Sequence, residues 1–424
     1  MANINTKNLL VIDWSNIMFR SLFMHKLFNS NAGSYERIED LQSFTFKFAM
    51  DVCSIINMFK PNRVIIATDS NHAWRKDVDS NYKSGREKDP QVNWDNIYKC
   101  SDDLQEILRK NGVDIANVER AEADDIIAMI KEVVFEKYPE YNVIIISADA
   151  DIRQLIEFNK ETTQYCIVYN TTGRGKNSNR RMYVTQNFKD WIDSPDECDI
   201  FFESFDQPKN YVKDLLHMNS IIELYVDNPN DVVLGKILCG DDGDSVPAFY
   251  GYYKNGRYVR ITPTKSAKIL DMTNSRTVKQ LCENVNRFPE VFEKVCKKTI
   301  DDIDFQERLD RQRTLVELNS KLFPKHIREY KETIDYMLRN GVCKTFQNFK
   351  AVDLLKGTDY EGADKKKALV ADVFSDIQKR TGNKKNQSEE KVTDNLFNVF
   401  NQTGKNMLNN KKNPDTVFSI DALF

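Results

Sequence analysis

Asn142-Val-Ile-Ile-Ile-Ser-Ala-Asp149 is a short β-branched run, too brief for a buried helix, that stops on an aspartate. Continuous apolar runs of this length are what strands covered on both faces look like. Two earlier stretches repeat it: Asn8-Leu-Leu-Val-Ile-Asp13 and Arg63-Val-Ile-Ile-Ala-Thr-Asp69. Between them, Leu41 to Phe59 and Ile97 to Asn111 have helical spacing and the length of crossovers, so the first part is expected to be an α/β domain on a parallel sheet.

In an open parallel sheet the functional crevice lies at the carboxyl ends of the strands, which brings Asp13, Asp69 and Asp149 together. If aspartate fills about 6% of positions, three strand ends all carrying it have a chance of order 10⁻⁴. Any one of them is explained as a helix N-cap; the three together are not. Ala121-Glu-Ala-Asp-Asp-Ile-Ile-Ala-Met-Ile130 adds Glu122, Asp124 and Asp125 in the first turn of a helix, more acid than a helix dipole asks for. With Asp149 and Asp151 in Ser147-Ala-Asp-Ala-Asp151, the cluster repels itself unless cations intervene. Oxygen ligands without nearby His or Cys favour Mg²⁺ or Mn²⁺ over zinc, which suits phosphodiester hydrolysis. Gly240-Asp-Asp-Gly-Asp-Ser245 offers Asp241 and Asp244 on one side of a turn, although taken alone it reads as a surface turn.

Composition sets limits around this reading. The 424 residues allow two or three structural units, and 61 Lys+Arg against 64 Asp+Glu leave a net charge of −3, so phosphate affinity must come from local patches or metals. The 8 cysteines are scattered singly, never as CxxC, which predicts reduced thiols and no structural zinc. No apolar run approaches the roughly 20 residues of a membrane span, and Met1 to Thr6 is polar, so a cytoplasmic location is expected. Asn210 to Ile237 and Ser266 to Val295 read as helices, Thr171 to Arg181 as a basic loop, and the chain from about Lys379 as a polar, flexible tail.

In order along the chain, these acids resemble the 5′ nucleases, the family of flap endonucleases and of the exonuclease domains of bacterial DNA polymerases. The shared motifs are Asp13, Asp69, the E-A-D-D helix start at Glu122 to Asp125, the S-x-D-x-D strand end at Asp149 and Asp151, and the G-D-x-x-D-[NS] turn at Asp241 and Asp244. Ala73-Trp-Arg-Lys-Asp77, Tyr82-Lys83, Arg120 to Asp125 and Ile261-Thr-Pro-Thr-Lys265 resemble the ribonuclease H branch of T-even bacteriophages. The likeness covers about four-fifths of the chain and stops near residue 355.

That resemblance implies a PIN-like parallel-sheet core over 1–160 and a probable insertion and helical connection over 161–239. A helical DNA-binding region over 240–355 would carry the second acidic cluster, followed by an extension and flexible tail over 356–424. It implies two Mg²⁺ ions, with Mn²⁺ as substitute, held by Asp13, Asp69, Asp124 and Asp149 on one side and Asp151, Asp241 and Asp244 on the other. Glu122 and Asp125 would sit between or behind them. Lys83 and Arg86, sharing a helix face at i,i+3, would reach the scissile phosphate, making them catalytic alongside Asp124 and Asp149. Arg75, Tyr82, Lys83, Arg86, Arg174 and Lys176 are the expected nucleic-acid contacts, Tyr82 by stacking a base.

The implied substrate is a DNA or RNA–DNA junction with a 5′ end or flap, met during replication, in the host cytoplasm if the chain is viral. Partners would be a sliding clamp, docked through 394–400 or 418–424, and a single-strand DNA-binding protein. The rival readings are a single-strand ribonuclease of PIN-like fold and a non-catalytic replisome adaptor. Two features depart from the family pattern. Ile152 to Cys239 is long, and Pro247-Ala-Phe-Tyr-Gly-Tyr-Tyr253 stands where a glycine-patterned, DNA-clasping turn is usual, which predicts a weaker duplex grip there.

Overall fold

The computed structural model describes residues 7–28, 34–171, 180–194, 222–254, 257–296 and 304–361. Arg174, Lys176 and the segments 394–400 and 418–424 lie outside them. The three aspartate-ended runs form β1 (Lys7–Asp13), β2 (Arg63–Ala67) and, after β3 (Asp114–Ala116), β4 (Tyr141–Ile146). They pair in parallel in the order β3-β2-β1-β4, with Ile12 opposite both Ile66 and Ile146. This register brings the ends of β1, β2 and β4 to one edge of the sheet.

The sheet does not stop at residue 160. Strand β5 (Glu157–Asn159) pairs with β6 (Gln164–Asn170), which lies parallel to β4 and is followed by β7 (Arg180–Val184) and β8 (Ile222–Val226). Two expectations are corrected here. Arg180 and Arg181 open a strand rather than sit in a loop, and 222–226, expected to be helical, is strand. The run Ile222-Glu-Leu-Tyr-Val226 alternates toward and away from the sheet face, a period-2 pattern that a window of helical residues on either side conceals.

Helices α1 (Trp14–Phe28), α2 (Ile38–Phe59), α3 (Arg75–Val78), α4 (Trp94–Lys110) and α5 (Ala123–Lys137) supply the crossovers. Leu10, Ile12, Val64, Ile66, Ile144 and Ile146 face a core shared with α1, α2 and α4. Leu9, Val11, Ile65, Val143 and Ile145 face the other, shared with α5. Each such side chain, at or near zero exposure, contributes about 1.5–3 kcal/mol by its burial.

After α6 (Gln186–Asp193) and α7 (Pro229–Cys239), a ribbon of β9 (Gly251–Lys254) and β10 (Arg257–Arg260) occupies the place of the expected DNA-clasping turn. Then follow α8 (Pro263–Thr273), α9 (Val278–Glu283), α10 (Phe288–Cys296) and α11 (Phe305–Val316). These pack around Phe249, Phe288 and Phe292 in a third core, which Tyr82 joins.

The last helices return to the sheet. From α12 (Lys325–Asn340), Ile327, Ile334 and Leu338 enter the α5-side core, and α13 (Ala351–Leu355) caps the opposite one. Arg63, 1% exposed, ties α12 down by donating to the carbonyls of Leu338 and Met337, both at 2.6 Å. It thereby satisfies helix-end acceptors that would otherwise be orphaned.

Candidate metal centre

Asp13 closes β1, so its carboxylate emerges at the sheet edge beside the start of α1. Its oxygens accept from the backbone N–H of Asn16 at 3.2 Å and the Ser147 hydroxyl at 2.8 Å. Burial, then the charge of Asp69, pushes its carboxyl up to about 7, with Asp149 adding to the rise. Asp69 lies just past β2 and accepts from the N–H of Ala123 at 2.9 Å, which joins it to the first turn of α5. In that turn Asp124 is driven well above its ordinary value by burial, then by Asp149 and Asp13. Asp149 accepts the N–H of Asp151 at 2.9 Å and leads into the 3₁₀ turn Asp151–Leu155.

Asp241 and Asp244 reach this edge from the turn after α7. Carboxylate oxygens of Asp151, Asp241 and Asp244 lie within 4.8 Å of one another. Burial, then Asp149, pushes Asp151 up to about 7, even with Lys236 opposing. Lys236, on α7, places its ammonium against both Asp151 and Asp241. Although burial works against it, that ammonium holds Asp241 below the usual carboxylate range. Sequence reasoning missed Lys236; the available signal was a lysine one helical turn before an acidic turn that needed neutralising.

Glu122 and Asp125 accept from the protein's own donors. Glu122 receives Arg75 at 2.8 Å, the Tyr82 hydroxyl at 3.0 Å and the Lys83 ammonium. Burial notwithstanding, Lys83 and Arg75 hold its carboxyl down at about 2. Asp125, fully buried, receives the Trp74 indole at 2.9 Å, Arg75 at 2.7 Å and the N–H of Glu122 at 3.1 Å. Both thus belong to a buried ion-pair network behind the cluster.

The same network takes in two expected nucleic-acid contacts. Arg75 is 2% exposed and Tyr82 4%, its hydroxyl also 3.2 Å from Asp244, so neither is open to a strand or a base. Lys83 and Arg86 do not share a helix face: residues 80–85 are turn and Lys83 has φ 55°. They nonetheless meet at Asp244, Lys83 at 3.6 Å and Arg86 through an ion pair. That places both beside the acids, with Arg86 half exposed.

The residues present fit divalent cations. The donors are all oxygen, burial and then neighbouring carboxylates drive two carboxyls to about 7, and a lysine ammonium already lies between Asp151 and Asp241. A pH dependence follows for the metal-free protein. Asp13 and Asp151 have folded values above the unfolded 3.8, so their contribution to stability is complete below about pH 4 and lost as pH rises through 7. Thermal melts in chelator should therefore fall in midpoint from pH 5 to pH 8, with Mg²⁺ restoring more at the higher pH. A midpoint flat across that range in chelator contradicts the crowding of these acids.

Residues 8–189 match the family model for the 5′-3′ exonuclease N-terminal, resolvase-like domain. The 5′-3′ exonuclease of Mycoplasmopsis pulmonis is 24% identical over 273 residues, 64% of this chain and 71% of that one. DNA polymerase I of Lactococcus lactis subsp. lactis is 28% identical over 157 residues, 37% of this chain but 17% of the polymerase. Among solved structures, a bacteriophage T5 flap endonuclease in a pseudo-enzyme–product complex with DNA and metal ions covers 79% of this chain at 15% identity and TM-score 0.47. A T5 protein co-crystallised with metal ions covers 78% at 16% identity and TM-score 0.46. No helix among the described residues is long and apolar enough to cross a membrane.

Proposed function

We propose, from the match of residues 8–189 to the 5′-3′ exonuclease N-terminal domain, that this chain is a metal-dependent 5′ to 3′ nuclease of DNA replication. One observation carries the reading. Acids from β1, the β2 and β4 ends, the first turn of α5 and the turn after α7 converge on one sheet edge, flanked by Lys83 and Arg86. Such a set has no structural use that would repay its mutual repulsion.

Asp13, Asp69, Asp124 and Asp149 would hold one Mg²⁺, and Asp151, Asp241 and Asp244 a second. When bound, the ions lower the pKa of a water and polarise the phosphoryl group. Around them the chain's own residues do the positioning. Lys83 and Arg86 donate to phosphoryl oxygens where charge builds, and they are held in place by Glu122 and by Asp244. Lys236 sits where it can hand Asp151 and Asp241 over to a cation or withdraw to a phosphate. The participation of Asp241 and Asp244 favours a replication nuclease over a single-strand ribonuclease of related fold.

The substrates we propose are DNA and RNA–DNA junctions with 5′ ends or flaps, including RNA primers. Docking to a sliding clamp through 394–400 or 418–424, and contact with a single-strand DNA-binding protein, stay proposals on sequence grounds. The test is to incubate 5′-flap DNA and an RNA-primed duplex with the protein in Mg²⁺ or in chelator and to map the products. Short products released from the 5′ end only in Mg²⁺ are expected. Cleavage that persists in chelator, or that starts at the 3′ end, contradicts the reading.

A further inference from the structure

Most described arginines have a carboxylate within 4 Å, as at Arg37, Arg120, Arg153 and Arg260. Arg20, Arg180 and Arg181 have none among the described residues, Arg20 and Arg180 on one face of the sheet and Arg181 on the other. Arg20 is on α1, half-buried, and Arg180 donates to the Tyr169 hydroxyl at 3.2 Å. Tyr169 feels both guanidiniums, and the two repel each other. The acid near Arg20, Asp51, is already engaged by the Ser21 hydroxyl at 2.6 Å and by Lys47.

On the opposite face of β7, Arg181 lies over the Tyr225 ring at 4.7 Å, and Tyr225 spends its hydroxyl on Glu223 at 2.8 Å. Each strand-borne arginine therefore rests against a tyrosine, and Glu223, the register neighbour of Arg181 on β8, makes no ion pair with it. The group also adjoins the metal centre: the carbonyl of Tyr169 accepts from the N–H of Ser147 at 3.2 Å, and the Ser147 hydroxyl donates to Asp13. Half-buried guanidiniums with no ion pair among the described residues, at this end of the sheet, suit an anion that arrives from outside. Planar guanidinium forks match the oxygens of a phosphodiester.

We propose that Arg20, Arg180 and Arg181 form a phosphate-binding edge that grips the sugar–phosphate backbone of a substrate strand alongside the metal centre. Arg20 and Arg180 hold a phosphate on one face of the sheet and Arg181 a separate one on the other, so this edge steers a nucleic-acid strand across the end of β6 and the start of β7. It rests on the nuclease reading for its occupant, but its own observations are the unpaired arginines.

The test measures binding of a 5′-flap DNA to the full chain across a salt series. Changing both Arg20→Gln and Arg180→Gln should make the slope of log K against log salt shallower by about 1, the weight of one phosphate contact. KM should rise several-fold with kcat unchanged, since neither residue belongs to the catalytic cluster. Lysine at both positions should restore the slope. Arg181→Gln alone, on the other face, is the second variant and should also flatten the slope, which keeps the question open to refutation if the pair does not fold.

A wild-type slope in Arg181→Gln and in a folded double variant overturns the proposal. So does stabilisation by inorganic phosphate that the double variant loses while its DNA slope stays wild-type, because that marks a free-anion site. A wild-type protein that binds DNA but never cuts would sink the nuclease reading instead, and the slopes would still decide this one.

Discussion

Asp149→Asn should cut 5′-flap DNA at least a thousandfold more slowly than the unaltered chain while binding it within a few-fold. Asp149 raises the carboxyls of Asp13, Asp124 and Asp151 alike, so it sits where the two halves of the acidic cluster meet. Removing its charge should weaken the hold on cations at both. Several kcal/mol of transition-state stabilisation depend on such ions, and about 4 kcal/mol equals a thousandfold in rate. Asparagine keeps an oxygen for the Asp151 N–H, so the loop should hold its shape and the fold its melting temperature. Single-turnover cleavage beside equilibrium binding checks this; activity within tenfold of the unaltered chain would remove Asp149 from the site.

The largest effect on stability is expected from Arg75→Met. The guanidinium is sealed between Glu122 and Asp125, with Trp74 stacked at 4.7 Å, and although burial opposes its charge those two carboxylates keep it protonated. Methionine fills much of the volume but leaves the fully buried Asp125 without a counter-charge and Glu122 with Lys83 alone, which costs about 3–5 kcal/mol. Cleavage should fall as well, because a displaced Glu122 no longer orients Lys83. Urea unfolding measures the first effect, and a loss below about 1 kcal/mol would mean the network is more solvated than its geometry implies. Adding Asp125→Leu should recover part of the loss, since it removes one stranded charge.

How much of this was legible in the sequence depended on whether one residue's surroundings were local. The runs ending in Asp13, Asp69 and Asp149 were readable because a strand buried on both faces needs only its own residues to announce itself. The Glu122 to Asp125 helix start was equally plain. What those acids bind was not: Glu122 and Asp125 differ from Asp124 only in which way the first turn of α5 points them, toward Arg75 or toward the sheet edge.

Arg75 and Tyr82 looked like surface contacts because nothing nearby in sequence reveals the α10–α11 core that closes over Tyr82, or the Phe323 ring near Arg75. Lys83 and Arg86 come to the acids, but not by the shared helix face expected. The positive φ at Lys83 breaks the expected helix, yet its N–H donates to the Asp244 carbonyl at 2.8 Å, so the turn delivers both cations to the acids anyway. Strand β8 and the return of α12 to the sheet are long-range packing choices, and period alone does not fix them.

The central claim is that these acids hold divalent cations, and counting bound Mn²⁺ by electron paramagnetic resonance tests it without reference to cleavage. The unaltered chain should bind two ions near neutral pH, Asp149→Asn should hold them far more weakly, and Asp241→Asn should lose one. A chain that binds no Mn²⁺ near neutral pH, or whose binding is the same after Asp149→Asn and Asp241→Asn, would contradict the account.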